Sequence, residues 1–182
     1  MEARVRRSGR LFGLVAIGAL SVGACSGSAA KSGESVIEGE LAEQIDLGDL
    51  EADCNEPEDL QEGETFTCTA TTEDGGTIEF IGTMSSDDEF NVVTSNLLTA
   101  SDVVAMREAV AVSLSDEIGV PVAADDISCP DGSVILNDDD AVECEVTDTE
   151  TGDVYPLTIS TGGLEPGVGA RDLQFEVGSE PL

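Results

Sequence analysis

The 182-residue chain contains no histidine and no tryptophan, and its aromatic content is one tyrosine and five phenylalanines. Without imidazole, neither a Ser-His-Asp nor a Cys-His arrangement can be assembled. A carboxylate pair of the glycosidase kind would have few aromatic platforms on which to hold a sugar ring. Positive charge is also scarce: 7 Lys and Arg stand against 39 Asp and Glu, a net charge of −32. Nucleic acid is therefore excluded as a partner, since phosphates demand clustered Lys and Arg. Electrostatic adhesion to an anionic membrane is excluded for the same reason. Neither G-x-S-x-G nor G-x-x-x-x-G-K-[ST] occurs. No enzyme and no cofactor are expected, a carboxylate-dependent hydrolase being the one catalytic form left.

The few bases are concentrated at the start. Arg4, Arg6, Arg7 and Arg10 precede the apolar run Leu11 to Leu20, followed by Val22-Gly23-Ala24-Cys25. A basic, then apolar, then small-residue order is that of an export signal. The V-G-A-C step resembles the lipobox of bacterial lipoprotein precursors. The resemblance implies cleavage before Cys25, lipidation of Cys25, and an exported protein anchored by lipid to the outer face of the cell membrane. Residues 1–24 are then a lipoprotein signal peptide, and the small, polar residues 25–34 are expected to form a flexible tether. Losing residues 1–24 leaves 38 acids against 3 bases, a net charge of −35. Attachment to the membrane then rests on the lipid, at about 0.8 kcal/mol for each buried CH₂.

High charge favours disorder, yet 40% of the residues are hydrophobic and they are patterned. Folded domains under an acidic, salt-tolerant surface are the expected result. Beyond Cys25 the cysteines fall at Cys54 and Cys68, then at Cys129 and Cys144. Before the first pair, Ser35 and Glu38 form a capping box. Ile37, Leu41 and Ile45 lie on one helical stripe, which Gly48 closes. Before the second pair, Thr99 or Ser101 caps a helix with Val103, Val110, Leu114 and Ile118 on one face, stopped by Gly119 and Pro121. Alternation in "TFTCTATT" and "AVECEVT" predicts half-buried strands. "TIEFIGTM" and "DVYPLTIS" continue each sheet, the second broken by Pro156. "EFNVV" and "DLQFEV" end them.

The predicted fold class is α+β. Two repeated units, 35–98 and 99–178, would each carry a helix on a small antiparallel four-stranded sheet with one disulfide. The repeat selects Cys54–Cys68 and Cys129–Cys144 from the three possible pairings. Such light cores gain from a staple, a loop of about 15 residues contributing roughly 3 kcal/mol. A thiolate metal site would want tight C-x-x-C pairs, which are absent. A helix, Cys-Pro, a gap, then Gly-x-x-Phe-x-Cys and a Gly-containing turn resembles the exported domain of unknown function DUF4333, common in actinobacterial lipoproteins. "GETFTC" carries one half of that pattern in the first unit, and Cys129-Pro130 the other half in the second. The resemblance implies a cell-envelope lipoprotein and no assigned activity.

Two loops are candidate sites. Asp138, Asp139 and Asp140 are candidate ligands for a hard divalent cation such as Ca²⁺ or Mg²⁺, with Asp87 and Asp88 a smaller pair in a turn. Consecutive aspartates in an extended loop point alternately apart, and neither segment fits the EF-hand pattern. "TGGLEPGVGAR" (161–171) is a nearly uncharged insertion, and Leu164, Val168 and Arg171 are its candidate binding residues. The expected function is a non-enzymatic envelope binding module for an unidentified protein or glycan. A low-affinity divalent-cation binder is the alternative.

Overall fold

The computed structural model describes residues 5–6, 28–136, 139–165, 169–170 and 172–182. The protein is α+β, with a four-stranded antiparallel sheet, helices and two disulfides. It divides into two compact units, Val15–Leu97 and Leu98–Leu182 together with Met1–Leu14.

In the first unit, helix α1 comprises Ala29–Val36, a π-helical stretch Ile37–Leu41 and a last turn Ala42–Ile45. Strands β1 (Leu50–Cys54), β2 (Thr65–Thr72), β3 (Thr77–Met84) and β4 (Phe90–Thr94) form an antiparallel meander in chain order. Strand β2 buries every second residue, Phe66, Cys68, Ala70 and Thr72. Its neighbours add Ile78, Phe80 and Met84 from β3, and Phe90 and Val92 from β4. These form the apolar face that one-sided strand alternation requires.

The helix reaches this face through small residues. An added Cβ on Gly33 would lie 3.1 Å from the Phe66 ring and 3.2 Å from Cys54 Sγ, so the helix backbone rests on the bridge. Phe66 in turn covers Gly82, its cross-strand partner, where an added Cβ would clash with the ring, most closely at Cζ. The same ring meets Phe90 edge-on, with centroids 5.4 Å apart.

The helix starts earlier than the sequence suggests. Ser28 is the N-cap, its side chain accepting the Lys31 N–H at 3.2 Å, and Ser35 lies inside the helix. The expected tether is thus helical from Ala29 onward. The physical reason is that Ala29, Ala30 and Gly33 are buried positions on the same stripe as Val36 and Ile37. Small residues chosen for close packing look like linker composition. The helix ends at Ile45 with Asp46 in the left-handed region (φ 53°), two residues before the expected stop at Gly48.

In the second unit, helix α2 (Ala100–Ile118) has Thr99 as its cap, with a full capping box to Asp102, and Gly119 at its end with φ 73°. Val103, Met106, Val110, Ala111 and Leu114 are buried, whereas Ile118, expected on that face, is 53% exposed one residue before the cap. Strands β5 (Ile127–Ser128), β6 (Ala141–Thr147), β7 (Val154–Ser160) and β10 (Gln174–Val177) are ordered β5-β6-β7-β10. The hairpin strands β8 (Leu164–Glu165) and β9 (Gly169–Ala170) lie between β7 and β10 in the chain. The short strand Val5–Arg6 pairs with the outer edge of β10.

Pro156 does not break β7. Its carbonyl accepts the Gly178 N–H at 2.8 Å, so its nitrogen faces the β10 side just beyond the last residue of that strand. The missing N–H falls where the ladder ends.

Gly82→Ala is expected to destabilise the first unit by about 1–3 kcal/mol, because the new methyl must displace the Phe66 ring. Adding Phe66→Leu to the same chain should recover part of that loss. Thermal melts of the single and double variants check both statements; additive losses would show that the two residues do not compete for space.

Candidate functional site

The structure pairs Cys54 with Cys68 and Cys129 with Cys144, at Cα separations of 4.0 and 4.3 Å. The geometry follows from strand register. Cys54 stands opposite Cys68 in β1–β2, and Asn55 N–H donates to the Thr67 carbonyl at 2.9 Å. Alternation then makes Cys54–Cys68 a non-hydrogen-bonded pair, where Cα atoms approach most closely. In β5–β6, Ile127 opposes Val146 and Ser128 opposes Glu145, so Cys129 and Cys144 come next in the same register. Every described cysteine is therefore tied up in a bridge. Cys25 lies outside the described residues.

The two loops singled out from the sequence meet in the second unit. Asp140 has φ 52°, and its carbonyl accepts both the Thr161 N–H at 2.8 Å and the Thr161 hydroxyl at 3.0 Å. Thr161 is fully buried. Its own carbonyl accepts the Asp172 N–H at 3.0 Å, and the Asp172 carboxylate accepts Gln174 Nε2 at 3.1 Å. Glycines make the approach possible: an added Cβ on Gly163 would lie 3.5 Å from Asp140 Oδ2, and one on Gly162 would lie 3.1 Å from the Asp172 carbonyl oxygen. Both glycines have positive φ, which L-residues rarely adopt. Thr161 is thus the pin between the aspartate loop and the glycine-rich insertion. Sequence reasoning missed it, although a threonine directly after an alternating strand was the available signal.

Asp139 is exposed, Asp140 is half-buried, and Asp138 lies outside the described residues. Among the described residues, no group of three His, Cys, Asp or Glu side chains could hold a metal ion. Leu164 is half-buried and packs against the core of the second unit, which draws it away from solvent. Val168 and Arg171 lie outside the described residues. Asp88 accepts a hydrogen bond from Ser86 at 2.9 Å within its own turn. In the β6–β7 turn, the Asp148 carboxylate accepts the Glu150 N–H at 2.8 Å. That backbone hydrogen bond holds its pKa below the ordinary value of 3.8.

Carboxylates also serve the sheet edge of the first unit. The amides of Ala52 and Cys54 point away from β2, and the α1 carboxylates Glu38 and Glu34 accept them at 3.0 and 3.3 Å. Glu56 accepts the Ala30 N–H at 3.5 Å in return. Glu38, expected to complete a helix cap, instead closes the edge of β1. Its partner Glu34 went unnoticed because the helix was expected to begin after it.

Among the described residues, no helix is long and apolar enough to cross a membrane. No protein-family model, curated protein or solved structure matches the chain.

Thr161→Val is expected to cost about 1 kcal/mol, the net worth of one buried hydrogen bond. Amide exchange at Asp172, whose N–H donates to the Thr161 carbonyl, should quicken in that variant. Unchanged stability and exchange would remove Thr161 from its pinning role.

Proposed function

We propose that the chain is an exported lipoprotein whose acidic units act as a non-enzymatic binding module on the outer face of the cell membrane. The observation that carries this reading is the ordered run of four arginines, ten apolar or small residues and V-G-A-C ending at Cys25. Two disulfides inside compact units agree with an oxidising compartment. Absence of histidine and bridging of every described cysteine leave carboxylates as the main reactive side chains.

The two units are divergent copies of a DUF4333-like domain in this reading. Both run helix, strand ending near a cysteine, then three more sheet strands, and their bridges span 14 and 15 residues. In each, the bridge ties the end of the first strand, or the residue just after it, to the second. The ligand is an envelope protein or glycan, with the acidic surface giving access to basic groups.

Expression in a bacterial host with intact-mass measurement tests the anchor. The wild-type chain is expected in the membrane fraction, short of residues 1–24 and heavier by a diacylglyceryl group at Cys25. Cys25→Ser should remain uncleaved and carry no lipid. A wild-type chain of unmodified mass, distributed like Cys25→Ser, would contradict the reading.

A further inference from the structure

The outer edge of β10 holds an extended strand. Val5 stands antiparallel to Phe175 and Arg6 to Gln174. On its other side β10 pairs with β7, where the Gly178 N–H meets the Pro156 carbonyl. Alternation from that bond turns the amides of Phe175 and Val177 outward, and Val5 stands opposite Phe175. Gln174 and Glu176 occupy the wet face of the sheet, while Phe175 is buried. The contrast with β1 is instructive, because there the outward amides already have Glu34 and Glu38 as acceptors.

In the proposed lipoprotein, residues 1–24 are removed, and the strand covering β10 goes with them. We propose that the uncovered edge of β10 is a docking site for an extended, arginine-bearing segment of a partner protein, which adds as an antiparallel strand. This rests on the cleavage before Cys25 proposed above. Two observations favour a basic strand as the occupant. The edge accepts a strand in the intact chain. That strand belongs to a segment with Arg4, Arg6, Arg7 and Arg10, while the remaining chain carries a net charge of −35. An antiparallel partner with arginines at alternate positions sets them opposite Gln174 and Glu176 on the wet face. Main-chain hydrogen bonds supply affinity and the alternate side chains supply selectivity. A second copy of this chain is a poor occupant, since two strongly acidic molecules repel.

The test uses the intact chain carrying Val5→Pro, which frees the edge whether or not export cleaves the protein. Amide exchange at Phe175 and Val177 is followed with and without a synthetic peptide of residues 1–10. Exchange should be about tenfold faster at Phe175 than in the wild-type chain. The peptide should restore protection there, and added salt should weaken its effect. A charge-matched scrambled peptide should not protect. Wild-type-like exchange in Val5→Pro, no protection by the peptide, or equal protection by the scrambled one would overturn the proposal. So would dimerisation of Val5→Pro in sedimentation, which would place a second copy on the edge. Intact mass of the exported chain reports cleavage separately, so failure of the lipoprotein reading is distinguishable from failure of the docking site.

Discussion

The cross-strand disulfide is the contact around which each compact unit is organised. It sits where the first sheet strand lies against the second, in the register position with the shortest backbone separation. A chain with five phenylalanines and no tryptophan has little bulky apolar surface to divide between two cores. Closing a loop of about 15 residues reduces the entropy of the unfolded chain by roughly 3 kcal/mol, comparable to one large buried side chain. In the first unit the bridge is also a packing surface. Gly33 brings the helix backbone onto the sulfurs, and Phe66 spreads over Gly82 beside them. Glycine, sulfur and one ring substitute for the aromatic bulk that the sequence lacks.

Acidity then determines how the edges are treated. Strand β1 lies at the rim of its sheet, and carboxylates from the helix cover its outward amides. Many other acids remain exposed, where like charges repel and salt relieves the strain. Unpaired edges invite strand addition, and a carboxylate acceptor is one way to decline it. The edge of β10 is treated differently, being covered by main chain from the arginine-bearing start of the sequence. An exposed edge is thus handled in two ways, by side-chain acceptors at β1 and by a paired strand at β10.

Much of this architecture was legible in the residues. Alternation in "TFTCTATT" located β2 and its buried face, Thr99 and Gly119 marked both ends of α2, and the cysteine spacing identified both bridges. What escaped depended on tertiary proximity. Ala29, Ala30 and Gly33 form a helix because a sheet lies against them, although their composition reads as linker. Pro156 is tolerated because β10 ends beside it, a fact of register that no local pattern carries. The candidate loops were located individually, but only the fold joins Asp140 to Thr161. Leu164, picked as a binding residue, is half-buried and also packs against the core of its unit.

The first bridge holds β1 to its sheet. The most direct test is amide exchange across the first unit before and after mild reduction under native conditions. Glu51, Asp53 and Asn55, whose amides face β2, should lose protection on reduction, while the β2–β3 ladder around Ala70 and Ile78 retains it. Unchanged protection at those three amides would contradict the claim that the disulfide holds the strand.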